Sequence, residues 1–398
     1  MSTVHTLGTA CARIVDCEHK TAPIDETGEY FVVGTPAMRG NVINYGEARR
    51  VNKSTFDTWT RRLLPQSGDL LFAREAPVGP IVRIPASGNV APGQRTVLFR
   101  PNQKIVDPDY LYYLLASPIQ QDLISAKAAG STVEHLNVAD VRAFELPALP
   151  AVVEQRAIAE VLGALDNKIA SNTELAATAE GLVAALFVEA VHRVELSESN
   201  FDEIAQVRGG GTPRTGICEY WDGDINWVTP TDVTALSGPY LESTSRRITK
   251  EGLEACASPL FPAGSILMTS RATIGAFAVA QHPTATNQGF IVVNPHDSSL
   301  NWWIFHEMKS RVDEFISLAN GATFLELSRG NFKKFRVRLS DESTMKEFGL
   351  MADALHSRAR QAFLENDGLA DTRDSLLPHL MSGKIRVKEA YQMVGDVV

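Results

Sequence analysis

The sequence has 398 residues, of which 44% are hydrophobic and 21% are charged. This is the composition of an ordinary globular protein, which excludes a disordered or collagen-like chain, and at about 150 residues per domain the length predicts two or three domains. The formal net charge of −9 does not exclude nucleic acid as a partner, because residues 151–200 and 341–398 carry most of the acidic excess and the two longer segments are near neutral.

Membrane insertion and secretion are not indicated by the sequence. No segment approaches the roughly 18 uninterrupted apolar residues of a membrane span, and the first twenty residues lack a basic segment followed by an apolar run. Cys11, Cys17, Cys218 and Cys256 form no C-x-x-C pair. We therefore expect a cytoplasmic protein with reduced thiols.

Residues 1–150 predict the first domain. Short apolar runs at 31–33 and 80–84 lie between glycines and prolines, which is typical of strands joined by turns. The segment 108–126 predicts a helix. We therefore expect a mixed α+β domain in this part of the chain.

Residues 151–197 predict one long helix. Its apolar positions are separated by alternating steps of four and three residues, which places them on one narrow stripe, called the seam below, and is typical of a coiled coil. A helix of about 29 residues at about 1.5 Å per residue spans roughly 43 Å. The seam of this helix contains Ile158, Leu162, Leu165, Ile169, Asn172 and Leu186.

Residues 198–342 predict a second α+β domain, with strands at 277–280 and 290–293 and a helix at 300–319. Four blocks of the first domain recur here in the same order, which indicates an internal duplication. The matching blocks are 49–51 with 246–248, 68–79 with 264–275, 94–101 with 288–295, and Gly130, Thr132, Leu136 and Phe144 with Gly321, Thr323, Leu327 and Phe335.

Residues 343–398 predict a second long helix. The two seams stay in phase at an offset of 190 residues. Packing of each helix on its own domain is the alternative, but the matched phase favours pairing of the two helices, and the intervening domain makes antiparallel pairing the easier geometry. Asn172 and Asn366 lie on the seams, where a buried polar group can fix the register. The second seam contains Phe348, Leu355, Asn366, Leu369, Leu376 and Leu380.

Recognisable catalytic motifs are missing from the sequence. It contains no G-x-x-x-x-G-K-[ST] phosphate loop, no H-E-x-x-H spacing for a metal and no G-x-S-x-G nucleophile. We therefore predict no catalytic residues, no metal site and no enzymatic activity of the chain itself.

Basic residues on the two α+β domains are the main candidates for a binding site. Guanidinium and ammonium groups can clamp phosphates, and an arginine can read guanine through two hydrogen bonds. A single residue of this kind is more often a solvated surface charge, but a basic cluster recurs in both domains, and this favours a shared role. The first domain contributes Arg49, Arg50, Lys53, Arg61 and Arg62, and the second contributes Arg246, Arg247 and Lys250, with Arg208, Arg214 and Arg271 near glycine-rich turns.

Several motifs, in this order, resemble those of the specificity subunits of type I restriction–modification systems. The first domain contains EHKTAP (18–23), GDLLF (68–72) and REAPVG (74–79), and the second contains GGTP (210–213), YWDGDI (220–225), WVTP (227–230) and TSRATIG (269–275). PALP (147–150), EQRAIA (154–159) and LDNKI (165–169) resemble the central repeat of the family, and LLPHLMSGKIRV (376–387) resembles its C-terminal repeat.

The resemblance implies an α+β protein with two α/β target-recognition domains, 1–150 and 198–342, separated by two long helices, 151–197 and 343–398, that form an antiparallel intramolecular coiled coil. Each domain would read one half of a bipartite, asymmetric target in double-stranded DNA, and the helices would fix the gap between the half-sites. Two heads about 34–36 Å apart would face the same side of the duplex.

The resemblance also implies partners and their cofactors. The helices and adjoining surfaces would dock two methyltransferase (modification) subunits, and restriction subunits would join the same complex. S-adenosylmethionine, ATP and Mg would belong to those partners, and this chain would hold no cofactor. The resemblance does not transfer base-reading residues, so the DNA-contact candidates are the cations named above together with Lys20 and Arg74 from the matched motifs.

A second function remains compatible with the same sequence. A non-enzymatic structural adaptor, with duplicated protein- or sugar-binding heads on a coiled coil, would also show the repeat and the two seams. Sequence-specific methylation by a co-purified adenine methyltransferase distinguishes the two functions.

Overall fold

The computed structural model describes residues 5–128, 134–319 and 325–395. Contacts divide the chain into two units, each of which combines an α+β head with parts of both long helices. Unit 1 comprises residues 1–169 and 367–398, and unit 2 comprises residues 170–366. Of the repeat positions, Gly130, Thr132, Gly321 and Thr323 lie outside the described residues.

Within its described residues, the head of unit 1 has seven strands in two sheets. The larger sheet is antiparallel and has the order β1-β7-β4-β5, and the smaller has the order β3-β2-β6, with β2 antiparallel to β3 and parallel to β6. The strands are β1 Cys11–Asp16, β2 Tyr30–Val33, β3 Arg49–Val51, β4 Leu70–Arg74, β5 Val78–Arg83, β6 Val90–Pro92 and β7 Thr96–Pro101.

Both faces of the larger sheet are covered. Alternate residues of a strand point to opposite faces, so Leu70 and Phe72 enter the core under the helices, whereas Leu71 and Ala73 enter a second core beside the smaller sheet. This explains why β4 is a continuous apolar run rather than an alternating one. The helices of this head are α1 Leu7–Ala10, α2 Lys53–Thr60, α3 Pro108–Ala116, α4 Pro118–Lys127 and α5 Val138–Ala143.

The head of unit 2 repeats this arrangement. Its larger sheet has the order β11-β14-β13-β16-β9, its smaller sheet has the order β12-β10-β15, and β8 pairs with β17. The strands are β8 Leu196–Asn200, β9 Ala205–Arg208, β10 Trp221–Val228, β11 Tyr240–Leu241, β12 Arg246–Ile248, β13 Ile266–Thr269, β14 Phe277–Ala280, β15 Thr284–Thr286, β16 Phe290–Pro295 and β17 Arg336–Arg338. The matching strand order supports the internal duplication at the level of topology.

Each predicted head helix is two helices in the structure. The segment 108–126 is interrupted at Ser117, because the proline that follows disfavours helical backbone at the preceding residue. The segment 300–319 is interrupted at Arg311. The helices of the second head are α7 Phe201–Ile204, α8 Pro230–Thr234, α9 Lys250–Glu254, α10 Asn301–Ser310, α11 Val312–Ser317 and α12 Arg329–Lys333.

Two long helices, α6 Val152–Ala190 and α13 Glu342–Met381, pack against each other within each unit. In unit 2, Asn172 contacts Glu365 and Phe187 contacts Phe348, so the contact positions rise along α6 as they fall along α13 and the pair is antiparallel. In unit 1, Arg373 bonds Asp166 at 2.9 Å. A further helix, α14 Val387–Gly395, adds Ala390 and Val394 to the core of unit 1.

The structure places all predicted seam residues at buried or half-buried positions. In unit 2, Phe187 is 2% exposed and lies in the core, whereas its neighbour Leu186 is half-buried. The buried seam residues are Ile158, Leu162, Leu165, Asn172, Phe348, Leu369, Leu376 and Leu380, and the half-buried ones are Ile169, Leu186, Leu355 and Asn366. No described helix is both long enough and apolar enough to cross a membrane.

Candidate nucleic-acid interface

The edge strand of the smaller sheet presents a pair of arginines in each unit. In β3, Arg49 and Arg50 are exposed, and β12 exposes Arg246 and Arg247 in the same way. The third residue of each strand, Val51 or Ile248, is fully buried and anchors the strand to the head. The duplicated sequence block therefore puts two guanidinium groups on the same sheet edge in both units.

A lysine follows each edge strand at the first position of a short helix. The Asn52 side chain accepts a hydrogen bond from the Thr55 amide at 3.0 Å, and the Thr249 side chain accepts one from the Gly252 amide at 3.1 Å. These caps start α2 and α9 immediately after the strands. They fix the backbone positions of Lys53 and Lys250, both exposed.

Lys53 is partly neutralised by its own helix. It forms an ion pair with Asp57 one turn later, and the hydrogen bond to this carboxylate raises the pKa of the Lys53 ammonium. Lys250 also has a carboxylate four positions later, Glu254, but no ion pair between these two side chains is found in the part of the chain that the structure describes.

Unit 1 holds a cleft of about 790 Å³ beside its edge strand. Arg50 is fixed at the wall of this cleft, because its Nε donates to the Gly28 carbonyl at 3.1 Å and its guanidinium lies 5.9 Å from the Phe31 ring centroid. The charged side chains that line the cleft are Lys20, Arg49, Arg50 and Arg95, with Glu26 and Glu47. Cations outnumber carboxylates at this surface, so it favours an anionic ligand.

In unit 2, the Arg246 guanidinium lies over the Trp221 ring and near the Trp227 ring. It is 3.5 Å from the Trp221 ring centroid and 5.5 Å from that of Trp227. The two tryptophans are themselves held by indole hydrogen bonds, to the carbonyls of Arg214 and Gly211 respectively. Contact with these two buried rings limits the conformations of the Arg246 side chain.

Unit 2 has a basic pocket of about 410 Å³, which is lined by Arg208 and Arg329. Arg208 is the exposed last residue of β9, and Arg329 is the first residue of α12. A Cβ atom on Gly209 would approach the Arg329 guanidinium to 2.9 Å, so glycine at this position leaves space for the arginine.

Besides Lys53, four of the predicted DNA contacts are tied to carboxylates. Arg61 and Arg62 lie 2.9 and 3.6 Å from Glu18, and Arg62 also donates to the carbonyls of Asp16 and Cys17. Arg74 is 3.3 Å from Asp16 and only 11% exposed, which makes it the least accessible candidate.

The fourth is Arg271, which pairs with Glu326 at 2.8 Å. Its side chain is still 47% exposed, so the pair lies at the surface. Lys20 and Arg214 are exposed, and Lys20 lines the unit 1 cleft.

Sequence reasoning missed Arg95 and Arg329. Arg95 pairs with Glu75 at 3.3 Å and lines the cleft, and Arg329 lines the pocket of Arg208. Neither belongs to the recurring basic clusters, so nothing in the repeat marked them. Arg95 lies inside the recurring block 94–101, but its counterpart in the second head is Gly289, so the repeat gave no signal for a cation there.

Comparison with known proteins agrees with this architecture. Residues 17–180 and 194–344 match the family model described as the type I restriction modification DNA specificity domain. The type I restriction enzyme MjaIX specificity subunit of Methanocaldococcus jannaschii is 38% identical over 137 residues, which are 34% of this chain and 32% of that protein. The EcoR124I/EcoR124II specificity subunit of Escherichia coli is 30% identical over 130 residues, 31% of each chain.

The matched part of the chain thus spans about a third of the length of these two relatives. Among solved structures, the S subunit of a type I restriction–modification system from M. genitalium has a TM-score of 0.62 at 17% identity, with 95% of both chains covered. That similarity shows a shared fold.

Proposed function

The chain belongs to the type I restriction–modification DNA specificity family, and from that premise we propose that it is the DNA sequence-specificity subunit of a type I restriction–modification complex. It reads a bipartite, asymmetric target in double-stranded DNA, with one half-site read by each head. The chain itself catalyses nothing, and its output is the choice of site and of the distance between half-sites.

The observation that carries the proposal is the duplicated basic edge strand. Arg49 and Arg50 in unit 1, and Arg246 and Arg247 in unit 2, are exposed at equivalent places of equivalent sheets. One such edge could be an ordinary solvated surface. Because the same edge occurs on both heads, the two heads are suited to bind the same kind of ligand, as they would in a DNA target with two half-sites.

The head of unit 1 is fastened to its own part of the helix pair. Asp166 of α6 accepts hydrogen bonds from Tyr113 of α3 and from Arg373 of α13. Arg83 of the head lies 3.7 Å from the same carboxylate, and its guanidinium is 3.9 Å from the Tyr112 ring centroid.

The head of unit 2 is fastened in a similar way. Arg360 of α13 donates two hydrogen bonds to Glu242, at 2.6 and 3.0 Å, and His356 bonds the Tyr240 hydroxyl at 2.8 Å. Because each head is attached to the helix pair by charged and hydrogen-bonded contacts, the length of the helix pair can set the distance between the two half-sites.

Partners supply the chemistry. We propose that two methyltransferase subunits dock on the helices and adjoining surfaces and methylate adenine with S-adenosylmethionine. Restriction subunits that use ATP and Mg join the same complex. The acidic helices suit protein partners better than DNA, since they would repel phosphate. The cytoplasmic location remains a prediction from the sequence.

The test is reconstitution of the full chain with the adenine methyltransferase encoded beside it. Methylated adenines are then mapped on genomic DNA by sequencing. The proposal expects methylation confined to one motif of two defined half-sites with a fixed undefined gap, and no methylation by the methyltransferase alone at that motif.

A complex that methylates no defined bipartite motif would contradict the proposal. If the chain then binds a protein or glycan through its heads, the adaptor function replaces the proposed DNA-specificity function. An exchange of the two heads between this chain and another specificity subunit provides the control, because each half-site should follow its head.

A further inference from the structure

A threonine–glutamine pair recurs in the two heads outside the basic edge strands. In unit 1, the Thr21 hydroxyl donates to Gln94 Oε1 at 3.4 Å, and in unit 2 the Thr212 hydroxyl donates to Gln288 Oε1 at 2.7 Å. All four residues are exposed. Because water competes for both groups, an exposed hydrogen bond adds little to the stability of the fold, so its recurrence in both heads points to a ligand.

The backbone immediately before each glutamine is anchored in the same way. The amide of Gly93 donates to the Val33 carbonyl at 2.8 Å, and the amide of Asn287 donates to the Val228 carbonyl at 3.0 Å. These bonds extend the parallel pairing of β2 with β6 in unit 1 and of β10 with β15 in unit 2.

The backbone immediately after each glutamine is anchored to the larger sheet. The Arg74 amide donates to the Arg95 carbonyl at 2.9 Å, and the Ser270 amide donates to the Gly289 carbonyl at 2.8 Å. Each glutamine therefore stands at the point where the chain passes from one sheet to the other, on a turn held at both sides. A side chain on such a support keeps its position when a ligand arrives.

The threonine of unit 2 is also held by a close backbone approach. A Cβ atom on Gly210 would lie 2.0 Å from the Thr286 carbonyl oxygen, so only glycine allows this loop to lie against the end of β15. The Gly211 amide donates to that same carbonyl at 2.9 Å. The loop thus brings Thr212 beside Gln288.

The free groups of each glutamine match one base. Oε1 keeps one lone pair after it accepts from threonine, and Nε2 has two hydrogens to donate. Adenine presents an N6 donor beside an N7 acceptor in the major groove, and glutamine recognises this pattern through two hydrogen bonds. In unit 1 the glutamine lines the cleft with Arg49 and Arg50, which are placed to hold phosphates.

We propose that Gln94 and Gln288 each read one adenine, one in each half-site, and that Thr21 and Thr212 are positioning residues that orient the amides. This inference rests on the proposed function, because it names residues that read the bipartite target. The inference predicts that each half-site of the target contains an A·T base pair at the position that its glutamine reads.

The experiment uses the full chain in complex with its methyltransferase. Initial methylation rates are measured on the target duplex and on every single-base-pair substitution of it, excluding the methylated adenines. Gln288→Ala should lower discrimination at one A·T position of one half-site by about 5- to 150-fold, the range of one bidentate base contact, and leave the other positions unchanged. Gln94→Ala should do the same in the other half-site.

Gln66→Ala is the matched control, since Gln66 is also an exposed glutamine of unit 1 but does not line the cleft. Thr212→Val removes the hydroxyl at nearly constant volume and should reduce discrimination at the Gln288 position, and Thr212→Ser should restore it. Thr21→Val should have the smaller effect, because its hydrogen bond is the longer one. Unchanged unfolding temperatures show that the variants remain folded.

Three results would overturn the inference. Discrimination could be unchanged at every position, it could change at a G·C pair, or the rate could fall equally on all sequences, which would identify a phosphate contact instead. In each of these cases the wild-type complex still reads its bipartite motif, and the proposed function stands. If the wild-type complex reads no such motif, both the function and this inference are contradicted.

Discussion

Arginines on the edge strands differ in how firmly they are held. Arg50 has a hydrogen bond to Gly28 and Arg246 lies over the Trp221 ring, whereas no hydrogen bond or ion pair of the Arg49 and Arg247 side chains is found in the part of the chain that the structure describes. A fixed guanidinium loses less conformational entropy on binding than a mobile one. We therefore expect Arg50 and Arg246 to contribute more per residue than their neighbours.

Replacement of both Arg49 and Arg50 by glutamine should weaken DNA binding and flatten its salt dependence. Each lost phosphate contact lowers the slope of log K against log salt by about 0.9. The measurement is the binding constant of the methyltransferase complex at several salt concentrations. Lys104→Gln with Arg39→Gln is the matched control, as it removes two exposed charges of unit 1 that lie outside the cleft and off the long helices. An unaltered slope in the edge-strand variant would remove both arginines from the phosphate contacts.

A buried histidine pair should make unit 2 sensitive to acid. His306 and His356 bond each other at 3.0 Å, and burial lowers the pKa of both to about 3, with a smaller contribution from the Lys309 ammonium. In the unfolded chain these two histidines are protonated below about pH 6.5, but in the folded chain they are protonated only near pH 3. The unfolded state therefore binds more protons in that window, and stability is lost as the pH falls through it.

Urea unfolding at pH 7.5 and 5.0 measures this effect. The loss should be on the order of 1 kcal/mol per pH unit for each histidine. His356→Phe should give a shallower pH dependence than the wild type, even if the variant is less stable at neutral pH. His296→Phe, at an exposed position, is the control for removal of an imidazole. A wild-type stability that is constant between the two pH values would refute the assignment.

Ion pairs were the residue-level feature that the sequence did not reveal. Arg61 and Arg62 were predicted from local charge, but their partner Glu18 is more than forty residues away. Arg74 likewise meets Asp16 only because β1 and β4 both pair with β7. Periodicity and composition report local structure, and such pairs depend on how distant strands are arranged.

At the scale of elements, the helix pair contains a polar layer among apolar contacts. Asn172 donates to Glu365 at 2.9 Å, and Asn366 donates to the Thr173 hydroxyl at 3.2 Å. The Asn366 Oδ1 atom is buried without a hydrogen-bond partner. A buried carbonyl oxygen without a partner costs free energy that an apolar side chain would not.

Asn366→Leu should therefore raise the free energy of unfolding by about 1 kcal/mol. The reason is that it removes the unpaired oxygen and adds apolar surface to the helix contact. Thermal or urea unfolding of the full chain measures the change, and Asn366→Asp is the comparison, because a carboxylate at this place should destabilise the pair. A less stable leucine variant would mean that the hydrogen bond to Thr173 outweighs the unpaired oxygen.

The elements with the strongest periodicity were the most predictable from sequence. Alternating steps of four and three placed the seams, and the repeat placed equivalent strands in both heads. The break between α3 and α4 had a signal in Pro118, whereas no proline or glycine marks the break at Arg311. That second break depends on tertiary contacts, since Arg311 bonds Glu307, Glu314 and the Arg336 carbonyl.

At the scale of the whole molecule, the contacts divide each long helix between two units. Unit 1 takes the start of α6 and the end of α13, and unit 2 takes the remainder of both. The order of motifs along the sequence instead predicts four consecutive segments, 1–150, 151–197, 198–342 and 343–398. The difference arises because antiparallel pairing returns the chain to its first head, and composition along the chain carries no sign of that return.

The central claim is that the helix pair sets the distance between the half-sites. Three heptads can be inserted after Ala176 of α6 and three before Ala362 of α13, two buried residues of the same apolar cluster. The matched insertions keep the seams in register and add about 31 Å, which is about nine base pairs and close to one DNA turn. A matched insertion of one heptad adds about three base pairs and turns the half-sites to different sides of the duplex, so it should bind poorly.

The decisive measurement is the map of methylated adenines produced by the three-heptad variant with its methyltransferase. The account predicts the same two half-sites as the wild type, separated by a gap about nine base pairs longer. Altered half-sites at the original gap, or the original motif with no change in spacing, would contradict the role of the helices as a ruler.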